Sequence, residues 1–220
     1  MMLIVFEGLD GVGKSTVIQG VLDALNASLM RTPSPLLKEA RSRCSDLPPE
    51  VGEALFDLGN MMASAEMREM DEQTVVCDRY LLSTVARRLA SDNVDSPELI
   101  RGLSSWTWPE HLHQPTLSVH LRLQEDERKK RIRHRGEMTA DEERLELDPR
   151  YRAALLMAYS DLCDITIDLT GLDEEQAVEW VMACLRERLP ELNEVEEDSA
   201  TEDDLVSRED RERDWYCGEL

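Results

Sequence analysis

The chain has 220 residues, 41% of them hydrophobic, and carries a formal net charge of −22 at pH 7. That length and apolar content can bury a full core in one or two domains, while so negative a balance argues against a nucleic-acid partner, which needs a basic face to neutralise phosphates. No stretch approaches the roughly 18 apolar residues of a membrane span, and neither a hydrophobic leader nor an Arg-rich presequence is visible ahead of the first strand, so no membrane partner and a cytoplasmic location are expected.

The first predicted strand is Leu3-Ile4-Val5-Phe6. It runs into Gly8-Leu9-Asp10-Gly11-Val12-Gly13-Lys14-Ser15-Thr16, which has the spacing of a phosphate-binding loop, Gly, four residues, Gly, Lys, Ser/Thr. Glycines there can take backbone angles closed to other residues and let N–H groups wrap an anion. Lys14 would neutralise the outer phosphates, Ser15 would hold magnesium, and a helix starting near Lys14 would point its positive end at the same charge. Asp10 adds a carboxylate near the metal and the reacting phosphates. The bland alternative is a Gly-rich turn that only joins a strand to a helix. The pattern points to a nucleoside triphosphate ligand.

A second strand, Ser28 to Arg31, ends on a guanidinium able to grip a phosphate bidentately. The third, Thr74 to Cys77, opens into Asp78-Arg79-Tyr80, either a catalytic acid–base pair at a strand mouth or an ion pair that staples the loop. The fourth, Leu117 to Leu123, precedes the basic run Arg128-Lys129-Lys130-Arg131-Ile132-Arg133-His134-Arg135-Gly136, in which Arg128, Arg131 and Arg135 share a helical face. The glycine and the polar, strand-free stretch beyond it, with Arg144 inside, have the composition of a mobile lid over about 133–148; a solvated helix face is the alternative. The fifth strand is Ile165 to Leu169. Five apolar runs separated by helix-length segments predict an α/β fold, a five-stranded parallel sheet with helices on both faces and ligands at the carboxyl ends of the strands.

From Pro190 to Leu220 thirteen carboxylates face three arginines. Such a segment buries little apolar surface, so residues 1–189 are expected to form the domain and 190–220 a disordered acidic tail, solubilising or docking through Trp215-Tyr216. Cys44, Cys77, Cys163, Cys184 and Cys217 are odd in number, widely spaced and without CxxC pairing, which argues against a metal cage or disulfide framework and fits a reducing compartment.

Together these motifs resemble the thymidylate-kinase family of P-loop nucleoside monophosphate kinases. The resemblance runs from Leu3 to about Leu189 through the phosphate loop, Asp78-Arg79-Tyr80-Leu81-Leu82-Ser83-Thr84, and Arg135-Gly136-Glu137 with Arg144. Leu58-Gly59-Asn60, Trp108-Pro109-Glu110 and Glu127-Arg128 are similar to its mitochondrial-type UMP-CMP kinase branch. The resemblance implies ATP on Gly8 to Thr16, aided by Arg135, with magnesium at Ser15 and Asp78. It implies an acceptor monophosphate held by Arg31 and Arg79 beside Phe56, Asn60, Tyr80 and Ser83. Lys14, Asp10, Arg79, Arg131, Arg135 and Arg144 would carry the transfer. Asn60, standing where thymidylate kinases carry an arginine, either reads a pyrimidine edge or bridges groups in the core. The expected activity is phosphorylation of UMP, CMP or their deoxy forms by a chain that is a homodimer in many relatives. The alternatives are a thymidylate kinase, a deoxynucleoside kinase with Glu7 as general base, or a non-catalytic nucleotide-binding regulator.

Overall fold

The computed structural model describes residues 1–34, 37, 40, 49–92, 97–136 and 138–193. Cys44, Glu137 and the tail from 194 onward, with Trp215-Tyr216 and Cys217, lie outside those residues. The chain divides into two units, Met1–Met182 and a second that begins at Ala183. The second holds the end of the last α-helix and a 3-10 turn, Pro190–Asn193, in which Leu192 N–H donates to Leu189 O at 3.0 Å.

All five predicted strands form: β1 Met2–Glu7, β2 Ser28–Arg31, β3 Thr74–Asp78, β4 Leu117–Arg122 and β5 Ile165–Asp168. They pair in parallel in the order β2-β3-β1-β4-β5. The central strand β1 is buried on both sides, which is why its sequence is a continuous apolar run rather than an alternation. Leu3 and Val5 face a core shared with Met30, Ala63, Met67, Val75, Cys77 and Tyr80. The outer strands β2 and β5 are four residues each and half exposed, as edges are. Register sets Phe6 beside Asp78 and Glu7 beside His120. The phosphate loop and the Asp78-Arg79 motif therefore leave the sheet at one level.

Among the described residues eight α-helices surround the sheet: α1 Lys14–Leu25, α2 Pro49–Glu69, α3 Leu81–Asp92, α4 Pro97–Ser105, α5 Glu125–Arg135, α6 Ala140–Leu147, α7 Pro149–Leu162 and α8 Glu174–Arg188. Helix α1 packs on β1 and β3, whereas α3 is surrounded by α2, α4 and α7. Gly20 on α1 lets Val178 of α8 approach so closely that an added Cβ would lie 2.5 Å from its methyls. The strand-free lid segment contains helix α6 rather than only loop. Its start is encoded by a capping box, with Thr139 Oγ1 accepting from Glu142 N–H at 3.3 Å and the Glu142 carboxylate accepting from Thr139 N–H at 2.8 Å. No helix among the described residues is long and apolar enough to cross a membrane.

Candidate active site

The phosphate loop adopts the backbone its glycines allow. Gly8, Gly11 and Gly13 all have positive φ, and a Cβ on Gly8 would sit 2.3 Å from the Leu121 carbonyl oxygen. Helix α1 starts at Lys14 with no side chain capping its first turn, so its leading N–H groups point to the space an anion would fill. Lys14 is 7% exposed and folds back to donate to the carbonyls of Gly8 at 3.3 Å and Leu9 at 3.1 Å. Burial pushes its ammonium down to about 8, against the pull of Asp10 at 3.7 Å.

Beyond β3 the chain turns through Arg79, a non-glycine residue at φ 66°. Its N–H donates to Phe6 O at 3.0 Å, and its carbonyl accepts from Thr32 Oγ1 at 3.0 Å. The guanidinium then spans the site. One nitrogen donates to Asp10 Oδ1 at 2.6 Å; the other donates to Ser83 Oγ at 3.1 Å and Tyr159 OH at 3.2 Å. For Asp10, burial alone would raise the carboxyl, but Arg79 and Lys14 outweigh it and hold the group well below the usual carboxylate range.

Helix α5 supports the loop from the other side. Arg128 is 1% exposed, grips Glu125 through two N–H bonds of 2.8 and 2.9 Å and donates to Asp10 O at 3.0 Å. Arg131 donates to Val12 O at 3.3 Å and to Glu127 at 2.7 Å. The resulting cleft is narrow and is lined by Asp10, Arg79, Arg87, Arg144, Tyr151 and Tyr159, among others. Three guanidinium groups converge there beside the phosphate loop. Converging guanidinium groups of this kind are suited to gripping phosphate oxygens.

No family model matches the chain. Human mitochondrial UMP-CMP kinase 2 is 32% identical over 166 residues, covering 71% of this chain and 36% of that protein, so the chain spans little more than a third of its length. The thymidylate kinase of Vibrio vulnificus strain YJ016 is 27% identical over 205 residues, covering 84% of this chain and 93% of its own. The solved thymidylate kinase of Candida albicans superposes with a TM-score of 0.64 at 21% identity, over 84% of this chain and 91% of that one. The chain is similar in sequence to P-loop nucleoside monophosphate kinases of the thymidylate-kinase family and has their fold.

In this kinase-like chain Ser15 and Thr16 are exposed at the start of α1, and Asp78 lies at the β3 mouth, 3.9 Å from the largely exposed Arg31. Hydroxyl and carboxylate oxygens are the donors a magnesium ion takes. Among the lid residues, Arg135 pairs with the buried Glu142 at 2.7 Å. Arg144 stacks on the Tyr151 ring at 3.8 Å and faces the cleft. Asn60 is 2% exposed and donates to Thr84 Oγ1 at 3.0 Å, a geometry that matches the core-bridging alternative. The Tyr80 ring packs in the core against Trp108 at 5.7 Å, and its backbone N–H donates to Glu7 at 3.0 Å. Phe56 lies under Arg87, with 5.9 Å between the guanidinium carbon and the ring centroid.

Several cleft residues were not among the sequence candidates. Arg87 donates to Asp141 at 2.9 Å, joining α3 to α6; its only signal was the tandem Arg87-Arg88 in an acidic chain. Tyr159 lies two turns from Tyr151 on α7, a faint hint of a shared aromatic face. Glu7, a general base in the deoxynucleoside-kinase alternative, is 0% exposed and accepts N–H bonds from Tyr80 and Ser83 at 3.0 and 3.2 Å. Burial raises its carboxyl to about 7, moderated by Ser83 and Arg79. It is absorbed as a cap on α3 and is not among the groups lining the cleft.

Proposed function

We propose that the chain is an ATP-dependent kinase that moves the terminal phosphoryl group of ATP onto a pyrimidine nucleoside monophosphate, UMP, CMP or a deoxy form, to give the diphosphate. The observation that carries this reading is the 2.6 Å contact between Arg79 and Asp10, which sets the motif after β3 directly against the phosphate loop. In the reaction an oxygen of the acceptor phosphate attacks the terminal phosphorus of ATP as the bond to the bridging oxygen breaks, leaving ADP. The transition state is loose and needs positioning and positive charge rather than a protein nucleophile. Lys14 has three N–H donors that can be redirected from the Gly8 and Leu9 carbonyls to the outer phosphates. Arg79 and Arg31 would hold the acceptor phosphate, and Arg131, Arg135 and Arg144 would surround the moving group. Kinases of this kind use magnesium with ATP; Ser15 and Asp78 would hold it here and it would screen the phosphate charge.

The pyrimidine preference is supported by the likeness to UMP-CMP kinase 2. Thymidylate phosphorylation is the second reading, favoured by relatives that match more of this chain. The capping role of Glu7 counts against the deoxynucleoside alternative, because an uncharged hydroxyl acceptor needs an accessible base. We place the protein in the cytoplasm on the free, buried thiols of Cys77 and Cys163.

The test is a coupled ADP assay with ATP, magnesium and CMP, UMP, dCMP, dUMP, dTMP or AMP offered in turn. Turnover with CMP or UMP well above that with dTMP is expected. A preference for dTMP would install the second reading, and no ADP above background with any pyrimidine monophosphate would end the claim.

A further inference from the structure

We infer that Glu7 is a positioning residue, one that sets the Arg79 guanidinium against the phosphate loop through the Ser83 hydroxyl. The inference rests on the phosphotransfer reading above and concerns a buried group that none of its steps uses. Glu7 ends β1 immediately before Gly8. Its carboxylate accepts from the backbone N–H of Tyr80, just ahead of α3, and from that of Ser83 in the first turn, which also donates to Tyr80 O at 3.2 Å; the helix dipole there favours negative charge. Its second oxygen accepts the Ser83 O–H.

Counting protons gives that contact a direction. A serine hydroxyl has one proton and two lone pairs. Above a pH of about 7, where Glu7 is ionised, the Ser83 proton is committed to it, and Ser83 can then only accept from its other neighbours, the Arg79 guanidinium at 3.1 Å and the Tyr159 hydroxyl at 3.1 Å. The Tyr159 oxygen accepts from the same Arg79 nitrogen at 3.2 Å. The opposite nitrogen of Arg79 is left facing Asp10 at 2.6 Å. Two acceptors behind and one in front hold the fork in one plane, on a backbone at φ 66° that is itself tied to Phe6, the neighbour of Glu7. β1 therefore carries the donor loop at its end and, through Glu7, also fixes the acceptor-side arginine.

Glu7→Gln probes this link with little change in size. The amide oxygen can still accept from both backbone N–H groups, but the amide nitrogen cannot accept the Ser83 proton. It would instead donate to Ser83 Oγ and compete with Arg79 for a lone pair.

Full-length wild type and variants are compared with ATP and the pyrimidine monophosphate that the wild type turns over fastest. For E7Q the acceptor kcat/KM is expected to fall at least about thirtyfold, since small displacements of a positioning group cost up to about a hundredfold. The Kd for ATP in the absence of acceptor is expected to stay within about twofold, and thermal melting to report a folded protein. S83A is expected to give a similar loss, and E7Q/S83A to be no worse than E7Q alone, because both break one link. Wild-type acceptor kinetics in E7Q, an equal loss of ATP affinity, or additive losses in the double variant would overturn the inference. A wild type inactive on every monophosphate would fail earlier, overturning the functional reading and this inference with it.

Discussion

Asp10 and Arg79 lie 69 positions apart in the chain and 2.6 Å apart in space. The pair predicts a pH dependence whose sign follows from the shift. The folded carboxyl sits below its ordinary value of 3.8, because Arg79 and Lys14 outweigh the opposing effect of burial. As pH falls the unfolded chain takes up the proton first, so the stability Asp10 contributes is complete above that ordinary value and is lost as pH drops below it toward the folded value. Urea unfolding at about pH 6 and about pH 3 is expected to show wild type more stable than D10N at the higher pH, with the difference shrinking at the lower. A difference independent of pH would mean that the carboxylate charge is not what Arg79 holds. At this scale the sequence showed which residue types were present but not their partners. Asn60 offered a base contact or a core bridge with equal chemistry, and its donation to Thr84 was visible only in the fold.

The elements were legible where one periodicity dominated. Strand β1 was clear because burial on both sides leaves only apolar residues from Met2 to Phe6, ahead of Glu7 at its end. Helix α6 was not, because its stripe is thin and its one strong signal, Thr139 with Glu142, is a capping box and not a periodicity. Helix α5 shows how an element can hide its function. A run of arginines reads as one basic face, yet Arg128 is buried and supports the loop while Arg135 is half exposed at the far end. Arg128→Ala removes three N–H bonds, two to Glu125 and one to the Asp10 carbonyl. The expected cost is about 2–3 kcal/mol in chemical denaturation, since it leaves a partly buried carboxylate and a carbonyl short of donors. A cost below about 0.5 kcal/mol, typical of a surface substitution, would show that the loop does not rely on this helix.

For the whole molecule, self-association has a surface available in α2. Val51, Ala54, Leu58, Met61 and Ala65 follow spacings of three and four along its exposed side, with Leu58 48% and Met61 50% exposed. Light scattering coupled to gel filtration is expected to give a particle of two chains, and L58E a particle of one with an unchanged far-ultraviolet spectrum. A wild type that elutes as a single chain at micromolar concentration would refute this. The net negative charge of the segment from 190 onward is expected to favour solubility over further assembly.

By itself the sequence determined what depends on neighbours in the chain: five apolar strand runs, a glycine loop whose backbone angles admit few other residues, a lysine and hydroxyl placed after it, and an acid–arginine pair at the end of a buried strand. These are local because dihedral freedom and strand burial are written over a handful of consecutive positions. Tertiary structure alone decided that Glu7 caps a helix whose donors lie 73 and 76 positions away, that Tyr159 closes the back of the site, and that Arg128 serves the loop while Arg144 faces the cleft. The state and task of a buried charged group are set by the partners that packing brings to it, and those partners come from distant strands and helices that no local pattern connects.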